Sequence, residues 1–271
     1  MKKNVLVVIL VSVWILLAVV FGIYDLEISK NIANQNSGWA KFLENYGMIP
    51  GMFVILSGIY IYCSFIKLKS DVWSYVQRIV LFMVSSGLIF YLFEILLDRL
   101  VSENFITSLI IAFALNLIIF IVLQIRKQVE SISAIQYAKI VIGISFFGYV
   151  ICIQVVKFIW GRVRFRELDA AFSQFTPWYL PQGITGFDSF PSGHSAMGFM
   201  LLSILILLVN AKRWIKNSVV TIIFLYGMVL AMSRVVIGAH YASDVLFGSF
   251  FIIIIFLLFF KKYGDIEKES D

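Results

Sequence analysis

Residues 105–124 read FITSLIIAFALNLIIFIVLQ, a run of twenty residues without a charged side chain. Coiled into a helix, a run of this length crosses a hydrocarbon core of about 30 Å. The whole chain has the same character, because 61% of its 271 residues are hydrophobic, 14% are charged and the mean hydropathy is +0.95. A soluble domain carries many more charges. The sequence therefore predicts an all-α polytopic membrane protein with a single integral membrane domain over residues 1–271.

Apolar runs of similar length recur along the chain and predict about eight membrane spans. The first apolar run is longer than the core of a signal peptide, and no clear small-residue cleavage site follows it. We therefore interpret it as a retained anchor. The predicted spans are residues 4–23, 48–66, 77–97, 105–124, 137–160, 194–210, 219–237 and 242–260.

The distribution of basic residues predicts which side of the membrane each loop faces. Short cytoplasmic loops of membrane proteins are enriched in Lys and Arg. With a cytoplasmic amino terminus, fourteen of the 22 Lys and Arg fall in inside segments, so we expect both termini to be cytoplasmic. These fourteen are Lys2, Lys3, Lys67, Lys69, Arg78, Arg126, Lys127, Lys139, Lys212, Arg213, Lys216, Lys261, Lys262 and Lys268.

Two predicted outer segments are long enough to have structure of their own. In residues 25–46, apolar and polar side chains recur at helical spacing, which predicts a helix that lies in the membrane interface and anchors the protein. Residues 161–193 hold three of the four prolines and several aromatic residues, which predicts an irregular cap. For Glu94 and Asp98, near the outer end of the third span, we favour pairing with Arg99 or contact with water over a functional role.

The two histidines of the chain both lie in polar clusters at predicted outer helix ends. His194 closes the run Pro191-Ser192-Gly193-His194, directly before the sixth span. Ser192 is suited to cap that helix, and Gly193 lets the backbone approach a ligand closely. The free amides at the start of a helix favour an anion.

The second histidine, His240, precedes Asp244 by four residues. In a helix, this spacing places both on one face, so that the carboxylate holds one ring nitrogen while the other attacks. Three cations accompany them, of which Lys157 and Arg164 are about two helical turns apart and Arg234 ends the seventh span. With Asp244 as the only acid counted, these cations predict an anionic substrate, and a phosphate fits paired guanidinium donors.

The remaining outer arginines do not enter the predicted site. For Arg162 and Arg166 three interpretations stay open: an extension of the phosphate site, contacts to lipid headgroups, or solvated arginines of the interface. The net charge of +6 does not indicate nucleic acid, because the basic residues lie between apolar runs instead of in one stripe. The predicted partners are the lipid bilayer and a membrane lipid phosphate, without nucleic acid, and the sequence predicts no oligomeric state.

The site-forming stretches resemble the phosphatidic acid phosphatase type 2 superfamily of membrane lipid phosphatases. The family pattern is Lys, six residues, Arg-Pro; then Pro-Ser-Gly-His; then Ser-Arg, five residues, His, three residues, Asp. The second and third motifs match in full, whereas Phe165 stands where the family has proline. The motif-bearing core is about residues 137–260, and the family core has six spans, so eight spans imply two additional helices or an overcounted pair. The matching positions are Lys157 to Arg164, Pro191 to His194, and Ser233-Arg234 to His240 to Asp244.

The resemblance implies a role for each matched position. His240 would attack phosphorus to form a phosphohistidine, Asp244 would orient it, and His194 would protonate the leaving group. Water would then hydrolyse the intermediate. No metal or other cofactor is implied, and the sequence has no His-rich or acidic cluster to build a metal site. The phosphate would be held by Lys157, Arg164, Ser192, Gly193 and Arg234.

The expected function is hydrolysis of a lipid phosphate or diphosphate at the outer face of the membrane. Phosphatidic acid, phosphatidylglycerol phosphate and an isoprenyl diphosphate are all compatible substrates. Two alternatives remain: a phosphotransferase that passes the phosphate to another acceptor, and a membrane protein that binds or transports phospholipids without turnover. The frequent Ile, Lys, Asn and Phe are typical of a bacterial source, so the bacterial cell membrane is the expected location.

Overall fold

The computed structural model describes residues 2–65, 71–97, 105–125 and 131–263, and the regular secondary structure of these ranges is helical throughout. Several residues used in the sequence predictions lie outside the described ranges. They are Lys67, Lys69, Asp98, Arg99, Arg126, Lys127 and Lys268.

The described ranges contain nine helices and a short 3₁₀ turn, Phe165–Glu167. The sixth helix has three stretches, α-helical over Ile132–Gly143, π-helical over Ile144–Val155 and α-helical over Val156–Trp160. The seventh changes from an α-helix, Gly193–Met200, to a 3₁₀-helix, Leu201–Leu208. In chain order the helices are α1 (Lys2–Ile32), α2 (Gly38–Tyr46), α3 (Ile49–Phe65), α4 (Val72–Leu96), α5 (Phe105–Ile125), α6 (132–160), α7 (Gly193–Leu208), α8 (Arg213–Val236) and α9 (Ala242–Tyr263).

Seven helical stretches of the described chain are long and apolar enough to cross a membrane, and one of them joins α2 to α3. Seven of the eight predicted spans correspond to these stretches, and the sixth corresponds to the shorter α7. Because a 3₁₀-helix rises about 2.0 Å per residue against about 1.5 Å in an α-helix, α7 still extends about 28 Å. That length is close to the thickness of a bilayer core. The predicted all-α polytopic bundle is confirmed.

The segment 25–46 differs from its prediction. Residues 25–32 continue α1, the chain turns at residues 33–37, and only α2 forms a separate short helix. The predicted single interfacial helix is therefore wrong. Asp25 and Ser29, which lie in this continuation of α1, are fully buried.

The helix α7 lies at the centre of the bundle, against α3, α8 and α9. The pair α4 and α5 packs beside α3 and is fixed there by a buried amide. Asn116 accepts a hydrogen bond from Tyr60 Oη at 2.8 Å and donates to Ser85 Oγ at 2.9 Å and Ser86 Oγ at 2.8 Å. Interhelical hydrogen bonds of this kind hold helices together inside a membrane.

The ends of the motif-bearing helices meet at one end of the bundle. Ser192, before α7, donates its backbone amide to the Asp244 carbonyl in α9 at 2.9 Å. This approach requires Gly248, because a side chain there would collide with the Ser192 backbone. The amide of Arg166 likewise donates to the Gly238 carbonyl at 2.9 Å. The loops after α6 and α8 and the starts of α7 and α9 therefore share one end.

Candidate active site

His240 lies in the short loop between α8 and α9 and is almost fully buried. Its Nδ1 is 2.6 Å from the backbone carbonyl oxygen of Ser189. Because a carbonyl oxygen only accepts hydrogen bonds, Nδ1 carries the proton and the lone pair of Nε2 is free. The imidazole therefore has its available lone pair on Nε2.

Asp244 lies in the first turn of α9, whereas His240 precedes that helix. The prediction that the two share one face of a helix is therefore wrong, but the side chains are close, with Nδ1 and Oδ2 3.7 Å apart. Asp244 Oδ2 accepts hydrogen bonds from Ser189 Oγ at 2.5 Å and from the Tyr241 amide at 2.9 Å. Ser189 thus contacts both partners, with its carbonyl at the imidazole and its hydroxyl at the carboxylate.

Burial determines the protonation state of His240. Loss of solvent around the ring disfavours the imidazolium and lowers the pKa of His240 to about 4, although Asp244 acts in the opposite direction. The ring is therefore neutral at neutral pH. Only the neutral imidazole has a lone pair with which to attack.

Arg162 is buried, so its interpretation as a solvated arginine of the interface is wrong. Its Nη1 is 2.5 Å from Asp244 Oδ1, and its Nη2 is 3.0 Å from Asp25 Oδ2 in α1. Nε donates to the Thr176 carbonyl at 2.8 Å, and the guanidinium carbon lies 4.0 Å from the centre of the Tyr241 ring. Two carboxylates and an aromatic face replace water around this cation.

Lys157 and Arg164 meet at a carboxylate that sequence reasoning missed. The helix α6 ends at Trp160, and Gly161, with φ of 62°, turns the chain, so the predicted two-turn helical spacing is wrong. Lys157 Nζ is 3.6 Å from Asp188 Oδ2, and Arg164 Nη2 forms an ion pair with Asp188 Oδ1. Burial raises the pKa of Asp188, but Lys157 and Arg164 together outweigh this effect and lower the pKa.

Arg234, in the last turn of α8, pairs with a residue of α2. Its Nη2 is 3.0 Å from Glu44 Oε1, which also lies 3.0 Å from Arg166 Nη1. The backbone carbonyl of Glu44 is 2.9 Å from His194 Nε2. The segment expected to serve only as an anchor therefore contacts two predicted site residues.

These contacts correct the charge count of the predicted site. Asp188 and Glu44 pair with the predicted cations, and Asp25 joins Asp244 in pairing with Arg162. An acid near the end of an apolar run is a functional candidate by default, and this signal could have identified Asp25. No sequence signal indicates the partner of Glu44, because the two paired residues are 190 positions apart.

Guanidinium nitrogens remain unpaired beside these acids. Within the described ranges, the buried side-chain nitrogens without a hydrogen-bond partner include Arg164 Nε, Arg234 Nε and Arg234 Nη1. A buried charged donor without a partner is costly. Glu44 and Asp188 therefore leave some donors of the two arginines unpaired, and these donors are available to an anion.

The start of α7 completes the site. Ser192 Oγ caps the helix by accepting from the Ser195 amide at 3.4 Å, as predicted, and Ser192 and Gly193 are both buried. His194 lies close enough to Arg234 and Lys157 for their charges to interact with it, as they do with His240. The structure therefore brings the predicted site residues together at one end of the bundle.

Residues 136–268 match the PAP2 superfamily. The chain carries a PAP2 superfamily domain. The resemblance seen in the three motifs is thereby confirmed, and the domain together with the spanning helices supports a membrane phosphatase-type function. No curated protein and no solved structure matches the chain.

The site is not built by the PAP2 domain alone. Asp25 and Glu44 belong to α1 and α2, which precede residues 136–268, yet they pair with Arg162 and Arg234 inside the domain. The departure at Phe165 leaves both cations of the first motif in place. Phe165 instead packs its ring against Phe172, with centroids 5.8 Å apart.

Glu44 is expected to compete with a phosphate for Arg234. In Glu44→Gln, the loss of a negative charge near this arginine should tighten binding of inorganic phosphate by at least about fivefold, on the scale of one ion pair. The measurement is the rise in thermal unfolding temperature with phosphate concentration, in detergent. Glu27→Gln, which removes an exposed partner of Lys30, serves as the control and should not change phosphate binding. Unchanged or weaker binding in Glu44→Gln would contradict the competition.

Proposed function

We propose that the protein is a lipid phosphatase that hydrolyses a lipid phosphate or diphosphate through a phosphohistidine on His240. The substrate class includes phosphatidic acid, phosphatidylglycerol phosphate and an isoprenyl diphosphate. The proposal rests on the PAP2 domain and on one feature of the site in particular. This feature is the coincidence of a free imidazole lone pair with unpaired, buried guanidinium nitrogens on Arg164 and Arg234.

In the first step, Nε2 of His240 attacks phosphorus, and the bond from phosphorus to the ester oxygen breaks. The leaving oxygen takes a proton from His194. Since the Glu44 carbonyl accepts from Nε2 of His194, its Nδ1 is the nitrogen left for this transfer. The ring must then be doubly protonated, a state that burial and the charge of Arg234 oppose and that the negative charge of a bound phosphate favours.

During both steps negative charge shifts among the phosphoryl oxygens. Arg164 and Arg234 donate to these oxygens through their unpaired nitrogens, and Lys157 adds a point charge. Ser192 and Gly193 line the same end of the site. Asp244, beside Nδ1, stabilises the positive charge that the ring acquires when Nε2 bonds to phosphorus.

In the second step, water attacks the phosphohistidine, the bond from Nε2 to phosphorus breaks, and inorganic phosphate leaves. The proton that water releases returns to His194, which restores the starting state. Each turnover therefore consumes one water molecule and needs no other reactant.

The location of the site at one end of a membrane bundle suits a substrate with a polar head and an apolar tail. The tail would remain between lipid-facing helices while the headgroup meets the cations. The positive-inside distribution of Lys and Arg favours the outer face for this end.

A substrate panel tests the proposal. Purified protein in detergent is given phosphatidic acid, phosphatidylglycerol phosphate and a prenyl diphosphate, with glycerol phosphate as the tail-free control. We expect release of inorganic phosphate from at least one lipid and much slower release from glycerol phosphate. When the phosphate of the substrate is labelled, a rapid quench should trap the label on His240, in a bond that acid cleaves and base does not.

Two outcomes of the panel would contradict the proposal. Transfer of phosphate to an added lipid or sugar acceptor without free phosphate would identify a phosphotransferase. Binding of the lipids without any turnover would identify a non-catalytic binding or transport protein.

A further inference from the structure

The carboxylate of Asp25 is buried in α1 at the end of the bundle that holds the site. Its Oδ1 accepts from the Ser243 amide at 2.9 Å, and its Oδ2 accepts from Arg162 Nη2 at 3.0 Å and from the Ser243 hydroxyl. The Ser243 hydroxyl itself accepts from Arg162 Nη1 at 2.9 Å, so its own proton points to Asp25. Every partner of Asp25 is thus a donor, as an ionised carboxylate requires.

Arg162 links this carboxylate to the one beside His240. Its Nη1 is 2.5 Å from Asp244 Oδ1, and all three charged side chains are 1% exposed or less. Two carboxylates and one guanidinium give the cluster a net charge of −1. With Arg162 and Asp244 alone, the buried pair would be neutral.

The net charge matters because the ring of His240 becomes cationic when Nε2 bonds to phosphorus. A neutral pair stabilises that cation poorly, since Arg162 cancels the field of Asp244. Asp25 neutralises Arg162 and leaves the charge of Asp244 for the imidazole. We propose that Asp25 is a positioning residue that acts on His240 through Arg162 and Asp244, and this inference rests on the proposed function.

The other charges around His240 come from the remaining elements of the site. None of them contacts Asp25, so a change at Asp25 alters only the buried cluster. They are Lys157 from α6, Asp188 from the loop before α7, His194 from α7 and Arg234 from α8.

A series of variants that changes the cluster charge tests the inference. Asp25→Asn changes the net charge of the cluster from −1 to zero, and Arg162→Gln changes it to −2. The double variant restores the net charge of −1. Asparagine and glutamine keep hydrogen-bonding groups of similar shape at both positions. Ser29→Ala is the matched control, since Ser29 is a buried polar residue of α1 whose hydroxyl has no hydrogen-bond partner.

We expect Asp25→Asn to lower kcat by about 10- to 100-fold, the usual effect of losing a residue that supports a reacting group without touching the substrate. KM should change less than about threefold. The double variant should recover most of the lost kcat. Ser29→Ala should retain the wild-type kcat.

Titration of the imidazole gives a second measurement that does not depend on activity. The chain has two histidines, so protein labelled with ¹⁵N-histidine shows two rings, and a His194→Gln variant assigns them. Arg162→Gln should raise the pKa of His240 by about one unit or more, because a more negative cluster stabilises the imidazolium. Asp25→Asn should lower the pKa of His240, and the double variant should return it to the wild-type value.

The results separate this inference from the proposed function. Phosphate release that is lost in His240→Ala but retained in Asp25→Asn would overturn the role of Asp25 alone. Absence of phosphate release by the wild type would overturn the proposed function, and the titrations would still test the charge coupling. If a single variant does not fold, the double variant is compared with the wild type. A 100-fold lower kcat or a pKa displaced by one unit in the double variant would then contradict the inference.

Discussion

Replacement of His240 by alanine is expected to lower kcat for phosphate release by at least about 10³-fold, the scale of losing a catalytic nucleophile. In the proposed mechanism the free lone pair of Nε2 attacks phosphorus, and Ser189 and Asp244 hold the ring in that state. Alanine removes the ring and leaves no group that can form the phosphoryl intermediate. The measurement is release of inorganic phosphate from a single lipid in detergent micelles, together with the amount of labelled phosphoenzyme.

The control for His240→Ala is Ile237→Val, which trims a buried residue of the same loop. This variant should retain kcat within about threefold, since a single methylene at a position away from the reacting atoms has a small effect. Equal phosphate release by His240→Ala and the wild type would show that His240 is not the nucleophile.

Replacement of Arg234 by glutamine is expected to lower kcat/KM by about 10²- to 10³-fold, the effect of removing a donor that stabilises transition-state charge. Two of the three guanidinium nitrogens of Arg234 are buried without a partner, so they are available to phosphoryl oxygens. Glutamine keeps an amide but loses the charge and the planar fork. The measurement is the initial rate of phosphate release at substrate concentrations below KM.

Arg213→Gln is the matched control, because Arg213 is an exposed arginine at the opposite end of the same helix. It should leave kcat/KM unchanged. A loss of less than about tenfold in Arg234→Gln, or an equal loss in both variants, would contradict a direct contact between Arg234 and the phosphate.

The sequence was sufficient to predict the long apolar helices and the motif residues that meet at the site. A run such as residues 105–124 can only be buried in lipid as a helix, so composition determines the element. The position of His194 and His240 at the same end follows from the order of the spans. Even the short α7 was located correctly, because apolar residues continue through its 3₁₀ half.

The local geometry around the site could not be predicted in the same way. The relation of His240 to Asp244 depends on where α9 begins, and a helix boundary is determined by caps and by contacts with other segments. The partners of Arg162 and Arg234 lie 137 and 190 residues away in α1 and α2. A motif specifies which cations are present, but only tertiary packing shows which carboxylates pair with them.

The burial of Asp25 has a consequence for how the protein is synthesised. Arg162 and Ser243 follow Asp25 by 137 and 218 residues, so the ribosome delivers them only after α1 has left the exit tunnel. At about 5–20 residues per second, the last partner arrives about 10–45 s later. Until Arg162 arrives, the carboxylate lacks the counter-charge that it has in the folded site and must stay hydrated at the membrane boundary. The nascent chain can therefore complete this end of the bundle only when α9 inserts, and a product truncated before α9 would leave Asp25 without its hydrogen bonds from Ser243.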